Sequence, residues 1–332
     1  MNKNILITGA TGGLGLALTQ RFSDAGYTVT ATGRSARHAH RFHQMNARFI
    51  PADITQPDAI AALCLGQDAV IHAAALSASW GRREDFERTN VEATQDLVTQ
   101  AQIAGVRRFV FISSPSVMTA MKDQVGQTES DLRTYAPLND YARTKLAAEQ
   151  YVLAADSDHF KTVALRPRAL IGPDDQVLLP QIMALVKKGR LPLLRGGQAR
   201  VDLTDVRDAA MAAYLALEKI DSVHGRFFHI SGGMPVNMKD LTCEMADICG
   251  LNMRFFPFPM TLAKAVAYIA ENIARLTGAE KEPALTRYKL ATMAYSQTFD
   301  LTAAASQLGY HPAYNAKETL IAILKGLRHE TL

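Results

Sequence analysis

A serine, a tyrosine and a lysine in this chain sit where together they could move a proton. The segment DYARTK places Tyr141 and Lys145 four residues apart, so on a helix they share one face. An ordinary tyrosine is a poor base near neutrality. A neighbouring ammonium favours the phenolate and lowers its pKa, making the pair an acid–base catalyst. The segment FISSPS adds hydroxyls at the end of an apolar run. Ser114 would hydrogen-bond a substrate oxygen, with Ser113 as its neighbour. The chemistry these groups suit is protonation of the alkoxide that develops when a ketone is reduced.

Such a reduction needs a hydride source, and the N-terminal segment ILITGATGGLG supplies a place for one. Gly9, Gly12 and Gly15 follow a strand pattern and open a helix pattern. Thr11, Gly13 and Leu14 complete the turn. Gly9 permits a tight turn, Gly12 lets the backbone approach a pyrophosphate, and Gly15 lets the helix pack closely. The uncapped N–H groups and the helix dipole then favour phosphate charge. Tyr141 and Lys145 would face the nicotinamide end, with Lys145 gripping the ribose. The second strand runs into YTVTATGRSAR. An NAD site wants a carboxylate at that end, for the ribose 2′-hydroxyl. Gly33 occupies the position and Arg34 follows. Arg34, with help from Arg37, suits a 2′-phosphate, so NADP(H) is expected over NAD(H).

These groups must be held by a scaffold. Strand patterns at Ile5–Thr8, Thr28–Thr32, Arg48–Ile50, Ala69–His72, Arg108–Ser113 and Lys161–Leu165 alternate with helix patterns at Leu14–Ala25, Pro57–Leu65, Glu84–Ala104 and Tyr141–Ala155. That alternation predicts an α/β fold, a Rossmann doubly wound parallel sheet. After Arg166 the rhythm breaks at Pro167, Pro173, Pro180 and Pro192. A helix near Val206–Leu217 and a strand near Phe227–Ile230 read as a return to the sheet. The expected division is a dinucleotide domain of 1–166 plus 201–231, and a smaller, mostly helical substrate lobe of 167–200 plus 232–332. The 332 residues suffice for both.

Composition narrows the classes further. A net charge of +4 with no Lys/Arg run argues against a nucleic-acid partner. Three scattered cysteines and nine scattered histidines show no metal spacing, so no metal is expected. Reduced thiols, no leader-like N-terminus and no apolar stretch of about 18 residues point to a cytoplasmic protein without a membrane span. The segment 262–276 reads as an amphipathic helix, expected to pack on the Rossmann domain, with contact to acyl chains at the pocket mouth or to a membrane surface as the alternative.

Together, TGATGGLG, PADIT, DAVIHAAA, TNVEAT, the Ser/Tyr/Lys set, LRPRALIGP, LTDVRDAA and FHISGG resemble the extended short-chain dehydrogenase/reductase family over essentially the whole chain. In TNVEAT, Ala93 stands where the family has glycine. The resemblance implies that Asp53 and Ile54 edge the adenine and that Ala73, Ala74 and Ala75 lie beside the cofactor. It also implies that Asn90 supports the catalytic site and that Pro167 lines the nicotinamide end. Four segments, ALSASWG, ISSPSV, TVALRPRALIGPDDQ and EPALTRYKLATMAYSQTFDLTAAASQLGYHP, are similar to the 3β-hydroxysteroid dehydrogenase-like branch. Within it they look most like the bacterial 2-alkyl-3-oxoalkanoate reductases. The implied reaction is NADPH-linked reduction of a β-keto acid or another hydrophobic ketone.

The implied small-molecule pocket lies near Leu76–Trp80, Ser116–Met118, Arg168–Gly172 and the helix from Thr261. Leu76, Trp80, Ser116 and Arg168 are its candidate contacts, with Arg168 suited to a carboxylate. A homodimer through Glu84–Ala104 and Tyr141–Ala155 is the family's default. A second reading is a nucleotide-sugar epimerase or dehydratase retaining NAD. The dehydratases carry an acidic pair beside the serine, whereas Pro115 and Ser116 follow Ser114 here. A third is a non-catalytic NADP(H)-sensing binder, which would have little use for a complete Ser/Tyr/Lys set.

Overall fold

The structure is a computed structural model that describes residues 3–36, 39–175 and 177–330, with side chains as far as 326. The chain runs β1 (Asn4–Thr8), α1 (Gly13–Asp24), β2 (Thr28–Gly33), α2 (Ala39–Gln44), β3 (Arg48–Pro51), α3 (Pro57–Cys64) and β4 (Ala69–His72). There follow α4 (Arg83–Phe86), a π-helical turn Glu87–Glu92, α5 (Ala93–Ile103), β5 (Arg108–Ile112), β6 (Gln124–Gln127), α6 (Asp140–Ala154) and β7 (Lys161–Pro167). Next come β8 (Leu170–Ile171), α7 (Leu178–Lys188), β9 (Arg190–Leu193), β10 (Arg200–Val201), β11 (Thr204–Asp205), α8 (Val206–Glu218), α9 (Ile220–Val223) and β12 (Arg226–Ile230). The chain ends with β13 (Val236–Asn237), α10 (Met238–Ile248), β14 (Arg254–Pro257), α11 (Met260–Leu276), α12 (Arg287–Ala294), β15 (Gln297–Phe299) and α13 (Ala316–Glu330).

Seven strands form one parallel sheet in the order β12-β7-β5-β4-β1-β2-β3. Successive residues of β1 show why both faces must be covered. Ile5 and Ile7 point into a core formed with α1 and α8, and Leu6 points into a core formed with α3, α5 and α6. All three are fully buried, as expected of a strand between two helix layers. The order reverses between β1 and β4, and ligands bind at such a switch point.

A four-stranded sheet, β13-β10-β15-β6, and two two-stranded ladders lie outside the main sheet. An apolar cluster there joins α7, α10 and α13 through Ile182, Met245 and Leu320. A second cluster packs Ala263 and Ala267 of α11 against Leu290 and Ala294 of α12. This corrects the expectation for α11. Its small residues face inward, and Leu262, Val266, Ile269, Ile273 and Leu276 point to solvent. The close helix contact needs alanine, so the large side chains are left outside. Residues 301–310 fold back on the main core instead, where Tyr310 is buried and donates to Ser231 O at 2.9 Å. Proline also misleads at 178–188. Pro180 occupies the first turn of α7, where its absent N–H costs nothing. No helix among the described residues is long and apolar enough to cross a membrane.

Candidate active site

The carboxyl ends of β1, β4, β5 and β7 converge on the glycine turn. Gly9 has φ +68°, and a Cβ there would lie 2.6 Å from Ala74 N. The backbone of Ala73–Ala75 therefore rests directly on the turn. A Cβ at Gly15 would meet Gly9 O at 2.2 Å, so only glycine seats α1 this closely. At Gly12 the nearest atom would be 3.7 Å away, which leaves an open cradle. Helix α1 starts without a side-chain cap or an acid in its first turn, so its N–H groups and dipole remain uncompensated. Leu14 is anchored against the core behind them.

At the end of β2 a Cβ on Gly33 would come within 2.8 Å of Thr11 Oγ1. Gly33 is thus also needed for packing. Arg34 is exposed beside it, and Arg37 lies outside the described residues. Asp53 accepts from Thr55 N and Thr55 Oγ1, both at 2.9 Å. These bonds, with lesser help from Arg34 and Arg88, hold its carboxyl below the ordinary range. Ile54 beside it is buried.

A hydrogen-bond chain sets the loop after β4. Thr94 Oγ1 donates to Asn90 O at 2.7 Å, so it accepts from His72 Nε2–H at 2.9 Å. His72 Nδ1 must then accept from Thr8 Oγ1 at 2.7 Å, and Thr8 Oγ1 accepts from Ala74 N at 3.3 Å. Burial pushes the imidazole pKa down to about 3, assisted by the Lys145 charge, so His72 stays neutral and the chain keeps its direction. Asn90 sits in the π-helical turn, a frequent feature of functional sites. It accepts from Leu76 N at 2.7 Å and donates to Leu76 O at 3.3 Å and Thr144 Oγ1 at 3.0 Å. It ties the loop to α6.

Helix α6 is capped by Asn139, which accepts from Ala142 N at 2.9 Å. Tyr141 follows in the first turn and Lys145 one turn later. Lys145 is buried, donates to Ile112 O at 2.6 Å and lies 4.0 Å from the Phe111 ring centroid. Desolvation pushes its pKa down to about 7, against the pull of Glu149. Arg166 holds Glu149 through two bonds of 2.8 and 2.5 Å. Burial raises the Tyr141 pKa, while hydrogen bonds from Ser114 and Ser77 lower it. Ser114 Oγ also accepts from Ser116 N at 3.2 Å. The buried hydroxyls of Ser113 and Ser116 have no hydrogen-bond partner among the described residues. The site therefore sets a proton-bearing phenol beside two serine hydroxyls, with a concealed ammonium one helical turn away.

An open cleft of about 420 Å³ begins at Ser77 and runs past Ser79 and Trp80 to Pro180, Gln181 and Ala184 of α7, with Glu282 on its rim. Trp80 Nε1 donates to Ala279 O at 2.9 Å, and Ser79 Oγ donates to Glu282 at 2.7 Å.

The sequence profile of the NAD dependent epimerase/dehydratase family matches residues 5–231. The chain belongs to this family. It is an extended short-chain dehydrogenase/reductase, and such enzymes work with a nicotinamide dinucleotide. It is 32% identical to the 2-alkyl-3-oxoalkanoate reductase of Stenotrophomonas maltophilia, over 95% of this chain and 97% of the relative. It is 29% identical to the 3 beta-hydroxysteroid dehydrogenase/Delta 5-->4-isomerase of Mycobacterium tuberculosis, over 96% of this chain and 89% of the relative. Among solved structures, MoeE5 in complex with UDP-glucose and NAD shares the fold. Its TM-score is 0.75 at 24% identity, covering 99% of this chain and 100% of that one.

A dinucleotide fits what this family member offers: the open cradle at Gly12, the uncapped α1, and buried hydroxyls without partners. The fold brings Gly9–Gly15, Ala73–Ala75, Asn90, Ser114, Tyr141, Lys145 and the buried Pro167 to one sheet edge. Leu76 meets Asn90 through its backbone. Ser116 is buried beneath the site and is not among the residues that line the cleft. The wall expected from α11 comes from α7 instead. Sequence reasoning assigned no individual role to Thr8, His72 or Tyr288, and met Ser77 only within the pocket segment Leu76–Trp80. Tyr288 is close enough to Tyr141 and Arg168 for their charges to act on it. Thr8 and His72 end adjacent strands, a pairing that alternation alone could have suggested.

Proposed function

We propose that this enzyme reduces a ketone to a secondary alcohol with NADP(H), and that the ketone is a β-keto acid or another hydrophobic ketone. The observation that carries the reading is Tyr141 beside Ser114 and Ser77, with Ser77 at the head of the α7 cleft and Lys145 one turn behind. The bound cofactor, cradled by Gly9–Gly15 and Lys145, supplies the hydride. Tyr141, kept protonated by burial, gives its proton to the carbonyl oxygen. Ser114 donates to that oxygen and fixes its position. Lys145 favours the phenolate left behind and would reach the ribose hydroxyls. Asn90 and the His72 chain hold the loop against the cofactor.

The exposed Arg34 after Gly33, with no carboxylate at the end of β2, supports NADP(H) over NAD(H). Residues 1–166 and 201–231 would hold the cofactor, and 167–200 with 232–332 the substrate. Free Cys64, Cys243 and Cys249 support a reducing, cytoplasmic setting. Exposed Ile103 on α5 and Tyr151 on α6 support pairing of two copies through these helices. Cofactor titration followed by nicotinamide fluorescence tests the assignment. NADPH should bind at least ~10-fold more tightly than NADH, since a bidentate arginine–phosphate contact is strong. Equal binding, or tighter binding of NADH, refutes it.

A further inference from the structure

Arg168 directly follows β7, at the sheet edge that carries the site. Its Nε is buried without a hydrogen-bond partner, and among the described residues no carboxylate lies within 4.0 Å of its guanidinium. The backbone is fixed around it. Arg168 N donates to Ile230 O at 2.9 Å, Thr204 Oγ1 donates to Arg168 O, and Ala169 is held at φ +46° while its carbonyl accepts from Thr204 N at 3.1 Å. A left-handed alanine costs energy and persists only where its surroundings enforce it. The guanidinium is thus placed deliberately in a position of high desolvation cost.

Two groups act on Arg168 at longer range. Asp202 is fully buried, and its Oδ2 is already taken by Ser231 Oγ and Phe299 N, each at 3.0 Å. Burial raises the Asp202 pKa, while Arg168 lowers it from a distance, and the other oxygen, Oδ1, is buried with no hydrogen-bond partner among the described residues. The other group is Tyr288 of α12, whose hydroxyl makes no hydrogen bond among the described residues. Its pKa is pushed up to about 12 by burial, with the Arg168 charge opposing and Tyr141 adding to the rise. Tyr288 is therefore a neutral donor, near enough to both the cation and the catalytic phenol for their charges to act on it. A largely desolvated cation with no acid in hydrogen-bond contact is costly. An incoming anion removes that cost, and a planar carboxylate matches the guanidinium fork.

We propose that Arg168 and Tyr288 together bind the carboxylate of the substrate, so that the enzyme selects ketones bearing a carboxylate a few bonds from the reacting carbonyl. This rests on the ketone-reductase reading and names the residues that set its specificity. Arg168 takes the carboxylate as an ion pair and Tyr288 donates to it. That places the adjoining carbonyl against Tyr141 and Ser114, with the alkyl chain in the α7 cleft.

The test runs the reaction backwards on stable compounds, oxidising a long-chain 3-hydroxy acid or its methyl ester with NADP+. The wild type should prefer the acid by at least ~30-fold in kcat/KM, a size suited to a charge-assisted pair. Arg168→Met should collapse that ratio toward one, and Tyr288→Phe should reduce it ~5–10-fold. Arg168→Lys should restore part of it. The NADP+ dissociation constant should change less than threefold in each. If both alcohols are oxidised equally by the wild type, the carboxylate site is wrong and the reductase reading stands. If Arg168→Met weakens NADP+ instead of changing the ratio, Arg168 serves the cofactor and the proposal fails. If neither alcohol is oxidised, the ketone-reductase reading fails with it. Should Arg168→Met not fold, Tyr288→Phe, which deletes a single oxygen, carries the decision.

Discussion

At Lys145 an ammonium is held beneath the Phe111 ring with one carbonyl for company. Desolvation lowers its pKa from 10.5 to about 7. A lysine whose folded value is depressed destabilises the fold, and the sign follows directly. The penalty is complete below pH 7, shrinks between pH 7 and 10.5, and is gone above that range. Replacing Lys145 with Met should therefore raise the melting temperature, and by more at pH 6 than at pH 9. Calorimetry at the two pH values checks this; a gain that grows with pH would contradict it. A stability cost is expected where a site is built for chemistry. The spacing of Tyr141 and Lys145 was readable from the sequence because a helix repeats every 3.6 residues. The place of Tyr288 was not, since only the tertiary fold brings it near enough to Tyr141 for their charges to interact.

Among the elements, the π-helical turn Glu87–Glu92 does the most to align the site. The sequence reads as one unbroken helix over Glu84–Ala104, because one widened turn barely disturbs the apolar period. Its consequence is Asn90, which connects the loop after β4 to α6. Asn90→Ala would leave Leu76 N and O without their partner. We expect a stability loss of ~2–3 kcal/mol in urea unfolding, since buried groups left unsatisfied cost this much. Turnover should fall at least ~10-fold, because displacements of about an ångström at a reacting centre are expensive. Undiminished turnover in a destabilised Asn90→Ala enzyme would show that the clamp only supports the fold. The small ladders β8–β11 and β10–β13 were not readable, being two-residue strands fixed by distant partners. The seven long strands were largely readable, since each is a buried run bounded by turn residues.

For the whole molecule, buried neutral imidazoles tie the two layers of function to pH. His72 lies between β1 and α5, and His229 on β12 stacks on Phe299 with ring centroids 4.6 Å apart. Burial pushes both pKa values down to about 3. On unfolding each regains its ordinary value near 6.5 and takes up a proton below it. Stability should thus fall as pH drops below 6.5, by up to ~1.4 kcal/mol per histidine per pH unit. Urea midpoints at pH 7.5 and 5.5 measure this; equal midpoints would contradict it. The proposed division of the chain between cofactor and substrate rests on the βα alternation that runs through Arg166. It is blurred beyond, because residues 301–310 return to the main core through Tyr310.

The central claim is that this geometry passes a proton from Tyr141 to a ketone. It is tested most directly by following NADPH absorbance with a long-chain β-keto acid, in the wild type and in Tyr141→Phe. We predict NADPH consumption matched by formation of the β-hydroxy acid. In Tyr141→Phe the rate should fall ~10²–10⁴-fold, with NADPH binding nearly unchanged. Full activity in Tyr141→Phe, or turnover of a UDP-sugar without net change in the cofactor in place of ketone reduction, would contradict the account.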